Sequence, residues 1–400
     1  MGGMSMRIFY LLCLLFLCFC HYSKAQNSFY NISLEKEIEK TEKAGLKEIG
    51  SAINYIPLET SDECLLKDII KVAVTDSHIA VWDWDKVLLF DNNGRFITEI
   101  GKKGQGPEEY IQLCNFCFSL DGNKIYLLTA DNGKCLEYDI KGAFLHSYQV
   151  NDKYANILPL NNELFVFHTP NSPPKLSSLQ YSLFISDLHT VKQSYFNYHK
   201  MRNESRFALY SGSGSFYSFQ GSIRFKEHGD HADTLFIVTE KELTPYAIFN
   251  LGGKLMPANI PVPANAIKPD NTFNYDIVFR PFEGRFFVRT IREDNDNFYF
   301  VLYDWRKLLY GYYNKRSSMV KMMGTEVFQN NIDGGLPFWP KLFYKDCLLD
   351  CVNAFEFREH VLNGNSEAMQ KQYGKNYDDL VKLVRSLDDD SNPIIIMVKK

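Results

Sequence analysis

Beyond residue 20 the sequence has no long hydrophobic run, so no later stretch reads as a membrane-crossing helix. Nor is there an excess of one charge. The 44 Lys and Arg against 48 Asp and Glu give a net charge of −4, and no basic stripe recurs with aromatics between, which argues against a nucleic-acid partner. Cysteine is sparse: six of nine lie beyond residue 25, at Cys64, Cys114, Cys117, Cys135, Cys347 and Cys351. An even count in an exported chain permits disulfides, but this is no small cysteine-dense scaffold. Apart from aspartates at the hairpin turns, no His or Asp recurs at equivalent places along the chain. What is abundant is aromatic side chain, 15 % of residues with 31 Phe and 24 Tyr, which suits pleated sheet surfaces and a large core.

The first 25 residues read as a signal peptide. Met1 to Arg7 ends in a positive charge, and Ile8 to Cys20 is almost wholly apolar. As a helix that run would reach only about 20 Å, short of a hydrocarbon core of about 30 Å. Ser23 and Ala25 place small residues at the −3 and −1 positions of a cleavage site before Gln26. The competing reading makes Cys20 a lipidated cysteine of an outer-membrane lipoprotein, with Leu17 three positions upstream. Phe19 is bulky where such a signal wants a small residue, so simple export to the periplasm or outside the cell is favoured.

The organising stretch is Lys86 to Tyr110. An apolar run at Val87 to Phe90 is followed by Asp91-Asn92-Asn93-Gly94, whose Asn and Gly tolerate the positive φ of a tight hairpin. A half-buried strand pattern then runs from Phe96 to Ile100. With Leu65 to Val74 and His78 to Trp84 this makes a four-stranded antiparallel meander, the size of one propeller blade. Gly94 recurs 48 residues later as Gly142, each followed by x-Phe, and Asp139 recurs 48 residues later as Asp187. Further units fall at 222–251, 284–314 and from 325 onward, and repeats of about 40 to 50 residues are of propeller size.

Residues 26–51 form a polar N-terminal segment in which Glu35 to Lys47 suits a short helix. The propeller itself is assigned to residues 52–400. Its first strand candidate, Ile53 to Glu59, contains Pro57 and therefore belongs at an edge. Ser366 to Leu387 has helical spacing of apolar residues, capped by Asn365 or Ser366 and stopped by Asp388 to Pro393. Ile394 to Val398 is a last strand. Because a closed ring removes exposed edges, it is expected to complete a blade with the first strand, Ile53 to Leu58. The fold class is all-β: a six-bladed β-propeller of four-stranded antiparallel blades, with a C-terminal helix and a closing strand.

These residues carry a family resemblance. Tyr55-Ile56-Pro57-Leu58-Glu59-Thr60, Phe90-Asp91-x-x-Gly94-x-Phe96 and Gly101-x-x-Gly104-x-Gly106-Pro107-x-Glu109-Tyr110 resemble the six-bladed propellers exported by Gram-negative bacteria, which are similar to NHL-repeat propellers. Asp233 to Phe236, Pro337 to Pro340 and Asn392 to Ile394 are weaker echoes. Glu108 stands where that family commonly has glycine, and blades three and four carry long polar insertions. The resemblance implies fold and export, and brings no catalytic residues with it.

Candidate sites each have a bland reading. The Gly101 to Tyr110 loop invites a phosphate cradle, but no Lys-Ser/Thr follows the glycines and no helix begins there. A blade-to-blade connection needing special φ/ψ is the better reading, with Gly94, Gly101, Gly104, Gly106, Pro107, Glu109 and Tyr110 as its structural motif. His228 and His231 with Asp230 and Asp233 have metal-like composition but read as a solvated hairpin. Cys114-x-x-Cys117 lacks the helix start of a redox motif, and residues three apart on a strand face opposite sides, so both read as structural. Cys347 and Cys351 fit one face of a strand. Trp82, Trp84, Trp305 and Trp339 suit sugar stacking, yet aromatics in a propeller mostly pack between blades.

No cofactor or metal is implied. Two functions remain: a binding or scaffold module for a glycan, peptide or partner protein, and a hydrolase or lyase using acids at the channel mouth. The absence of a repeated acid or histidine tilts the reading to binding. Processing can be checked directly: intact-mass analysis of the exported chain is expected to find Gln26 at its start, and a species beginning at a lipidated Cys20 would make it membrane-anchored.

Overall fold

The computed structural model describes residues 29–130, 133–169, 181–196, 215–226, 233–257, 260, 263–268, 272 and 274–400. The expected signal peptide at 1–25, Cys20 included, and the His228, Asp230 and His231 cluster lie outside them. Six antiparallel sheets form the blades. Blade one runs through Ile69–Val74, His78–Asp83, Lys86–Asp91 and Phe96–Ile100 in sequence order. Blade two comprises Leu113–Phe118, Lys124–Thr129, Lys134–Asp139 and Phe144–Gln149. Blade three begins at Asn156–Pro159, blade four at Ser215–Phe219 and blade five at Phe287–Glu293. These first strands are the inner ones, and those of blades two to six touch one another in succession around the axis.

The hairpins form where local chemistry demands. Asp91 accepts the backbone N–H of Asn93 at 2.8 Å and of Arg95 at 2.9 Å, and Gly94 takes φ +81°. Blade two repeats this with Asp139, Lys141 and Ala143, and Gly142 at φ +82°. In blade three Asp187 again accepts two backbone donors, but Leu188 takes the positive φ, so the third turn is tighter and lacks the glycine. A methyl group on Gly94 would sit 2.1 Å from the Pro57 carbonyl, because the turn rests on the neighbouring blade. Glu59 completes that seam: its N–H donates to Gly94 O at 2.7 Å, and its carboxylate accepts from Phe96 N–H at 3.0 Å.

Blade six is built from both chain ends. Ile394–Lys399 lies between Cys347–Val352 and Ala52–Pro57, so Ile396 pairs with Asp350 on one side and Tyr55 on the other. Ala52–Pro57 is the outer edge, where Pro57 needs no ladder donor on its open side. The core consists of six apolar layers, one between each pair of adjacent blades. Each sheet is therefore covered on both faces.

Two expected helices differ in the structure. Glu35 to Lys47 forms turns and a short 3-10 turn at Leu46–Glu48, with no α-helix. Tyr30–Ser33 joins the rim of blade four in parallel with Leu243–Asn250, giving that sheet five strands. The chain then crosses the rims of blades five and six, where Glu42 N–H donates to Met322 O and Leu46 N–H to Gln329 O. Those donors are spent on other strands instead of on the i−4 carbonyl of a helix. The expected helix at 366–387 is split into Ser366–Tyr373 and Lys375–Arg385 by Gly374, whose φ is +55°. Asn365 caps the first by accepting from Ala368 N–H at 3.1 Å. A further helix, Ala354–Leu362, precedes them, and all three pack near Tyr55 and Val352.

Strand alternation sorts the connections by end of the ring. One end carries tight turns such as 75–77 and 92–95; the other carries the long connections at 101–112, 251–286, 325–341 and 353–393. The closing strand generates a test. Ile394, Ile395, Ile396 and Val398 are each at most 1 % exposed. Burying them contributes about 1.5–3 kcal/mol apiece, comparable in sum to a whole domain's stability of about 5–15 kcal/mol. Deleting residues 393–400 should therefore abolish cooperative folding of the whole ring, and Ile396→Ala should lower stability by about 2–5 kcal/mol. Denaturant unfolding measures both; an unchanged midpoint and slope in the truncated chain would place closure elsewhere.

Candidate functional site

The glycine-rich loop connects blades one and two. Lys102–Lys103 runs parallel to Glu109–Tyr110, and Gly104 N–H donates to Tyr110 O at 2.9 Å. Gly106 N–H donates to the Glu109 carboxylate at 2.8 Å. Of the loop glycines, Gly101 has a left-handed φ of +70°, whereas Gly104 and Gly106 do not. Their need is space: a methyl on Gly104 would fall 2.0 Å from Glu109 Oε2, and one on Gly106 3.1 Å from it. The Tyr110 ring is buried, its hydroxyl donating to Asp85 O at 3.2 Å, and the Tyr138 hydroxyl donates to Glu108 O. A cleft of about 320 Å³ opens here, lined by Pro107 and three carboxylates, Glu99, Glu108 and Glu109. With those two glycine amides engaged internally and acids around them, the loop is poorly suited to cradle a phosphate.

The remaining sequence candidates are dispersed. Among the described residues Cys64, Cys114, Cys117, Cys135, Cys347 and Cys351 form no disulfide. Cys114 and Cys117 pack on the same apolar layer despite their spacing, because a bulge at Cys114 shifts the register between Leu113 and Asn115. Burial pushes the Cys117 thiol up to about 12, which leaves it inert. Cys347 and Cys351 both pack on the layer between blades six and one. Trp82 is buried, Trp339 stacks on Phe328, and Trp305 stacks on Phe279 at 5.5 Å. Trp84 is 63 % exposed, so among the four tryptophans it is the one most open to solvent.

The structure brings together a group that the sequence reading missed. The Lys71 ammonium, on the inner strand of blade one, donates to Asn115 Oδ1 and to Phe116 O, both at 2.6 Å. Asn115 Nδ2 passes the chain to Asn156 Oδ1 in blade three at 2.8 Å, and Asn156 meets His168 Nδ1 at 3.1 Å. Around the axis, Ser215 accepts Ile291 N–H at 2.8 Å, and Arg292 Nε donates to Lys341 O of blade six at 2.8 Å. The Arg292 guanidinium lies 5.3 Å over the Tyr217 ring. Lys71, Asn115 and Thr290 each follow a one-residue bulge on their inner strand, a device that re-aims a side chain. The legible trace was a polar residue a few positions before the first turn of each blade.

This axial lining is cationic. Burial, and then the neighbouring Arg292 charge, lower the Lys71 ammonium to about 8, with the Cys117 thiol opposing. Burial also lowers Arg292. Both side chains keep partial solvent contact, as groups facing an internal channel do. Two of the buried acids gather cations at another place. Glu293 is held by Arg224 at 2.8 Å, Lys315 at 2.6 Å and the Tyr246 hydroxyl at 3.0 Å, and Asp233 by Lys226 at 3.2 Å, all at the seam of blades four and five.

With this geometry established, known proteins place the chain. It belongs to the DUF4934 family, a domain of unknown function. The match spans residues 29–399. No curated protein matches it. A crystal structure from Bacteroides fragilis, described as a candidate exported protein, is 16 % identical with a TM-score of 0.66, covering 93 % of this chain and 100 % of its own. That likeness is one of fold. A DUF4221 family member from Bacteroides vulgatus is 11 % identical, with a TM-score of 0.44 over 68 % of this chain and 84 % of its own.

The loop yields a stability test for this DUF4934 chain. Gly104→Ala should displace the Glu109 carboxylate from Gly106 N–H and cost about 1.5–3 kcal/mol, the range for a hydrogen bond to a charged group. In a Glu109→Ala background the same change should cost much less, since the obstructing carboxylate is gone. Denaturant unfolding of the four chains measures the coupling; strict additivity would show that the glycine is required for another reason.

Proposed function

We propose that the chain is an exported binding or scaffold module, an NHL-repeat-like propeller that receives a glycan, peptide or partner protein over its axial channel. The carrying observation is the mixed lining of the inner strands: Lys71, Asn115, Asn156, Tyr217 and Arg292 offer hydrogen-bond donors, acceptors and an aromatic face. The long connections at one end of the ring supply a broad rim around that channel, the usual place for recognition on a rigid scaffold. A hydrolase or lyase reading would need an acid at the axis, where the partners of Lys71 and Arg292 are neutral oxygens and ring faces. Export to the periplasm or beyond the cell belongs to this reading, supported by the leader and by the candidate exported relative. Among the described residues no helix is long and apolar enough to cross a membrane.

Incubating the mature chain with panels of glycans and peptides tests the reading. Reversible capture is expected, with the ligand recovered chemically intact. A ligand recovered cleaved would assign the chain to the propeller hydrolases and lyases.

A further inference from the structure

Buried charges in proteins are ordinarily paired, because an isolated ion loses its hydration without recompense. This chain follows that rule between blades four and five, where Arg224, Lys226 and Lys315 all have carboxylate partners. It departs from the rule at the axis. Among the described residues neither Lys71 nor Arg292 forms an ion pair; their partners are the neutral oxygens of Asn115, Phe116, Lys341 and Ile291. The Arg292 Nη2 group donates to no described residue, while Nε and Nη1 are each taken up by a carbonyl. Tyr217 lies under the guanidinium at 5.3 Å and Phe116 under the ammonium at 5.1 Å, and both rings hold a cation without neutralising it.

Two cations in one half-dry channel repel each other, and an apolar side chain at either place would be less costly to bury. Arginine cannot escape by losing its proton. Resting on the binding-module reading above, we infer that the axial channel is an oxyanion site, in which Lys71 and Arg292 together hold a carboxylate, sulfate or phosphate group of the ligand. The guanidinium fork supplies directed donors and the ammonium a compact charge, a pairing suited to any of the three. The bulges before Lys71 and Thr290 and the hydrogen-bonded amides of Asn115 and Asn156 keep the site fixed before the ligand arrives.

The groups facing Lys71 are the Arg292 guanidinium from blade five and the Cys117 thiol from blade two. The thiol is held up at about 12 and so stays neutral near physiological pH. Lys71, lowered to about 8, is the group that changes charge. Anion affinity should therefore fall as pH rises from about 7 to about 9.

The experiment is calorimetric and thermal titration of the mature chain with sodium sulfate, inorganic phosphate and galacturonate. Galactose is the neutral control, and chloride holds the ionic strength constant. Saturable binding of at least one oxyanion is expected, and none of galactose. Arg292→Gln and Lys71→Met should each weaken it about tenfold or more, as truncating one member of a buried charge contact does. Lys71→Met should also flatten the pH dependence, which a merely structural lysine would not do. If Arg292→Gln fails to fold, Arg292→Lys keeps the charge and should retain part of the affinity. Absence of saturable binding by all three anions, or binding indifferent to both substitutions, would overturn the site. Capture of neutral ligands alone would leave the binding-module reading standing and remove this one.

Discussion

Every blade in this molecule is a sheet that needs a neighbour on both faces, so the structure depends on the ring being closed. The six apolar layers lie between blades and not within them, and the two that flank blade six are not complete until Ile394–Lys399 has slotted between Cys347–Val352 and Ala52–Pro57. The seam at Pro57, Glu59 and Gly94 then locks the last blade to the first. The channel is a by-product of that closure, since its walls are six inner strands brought together from 69 to 344 in the sequence.

What could be read from the sequence is what local chemistry decides. The Asp91 and Asp139 turns are legible because an Asp that accepts two backbone donors, three residues before a glycine, makes a hairpin wherever it occurs. Ile394 to Val398 is legible as a strand because four of its five side chains are β-branched and apolar. The segment 35–47 misleads because its partners, Met322 and Gln329, are nearly three hundred residues away. The helical pattern at 366–387 is correct in type and wrong in continuity, since periodicity is blind to the positive φ of Gly374. Cys114 and Cys117 share a layer through a bulge that no alternation rule predicts. Lys71, Asn115 and Asn156 are ordinary polar residues about forty apart in sequence, and only the side-by-side packing of blades one to three makes them neighbours.

The contrast between two kinds of buried cation organises the electrostatics. At the seam of blades four and five, Glu293 and Asp233 gather Arg224, Lys315 and Lys226 and also accept from tyrosine hydroxyls and the Val288 amide. That network fixes two blades relative to each other. Along the axis the cations meet only amides, carbonyls and ring faces. One arrangement pairs its cations with carboxylates and the other gives them no counter-charge among the described residues.

The N-terminal strap bears on the order in which the chain can assemble. Tyr30–Ser33 waits for Leu243–Asn250, Thr41 for Met322, and Ala52–Pro57 for Ile394–Lys399. This segment therefore precedes its partners by more than two hundred residues, while blades one to three can form from contacts close in sequence. Ile32, Leu34 and Ile38 stay unburied until blades four and five exist, and Leu46 and Ile49 until the closing strand does. The topology thus sets a long interval between the synthesis of this segment and the synthesis of the residues that bury it.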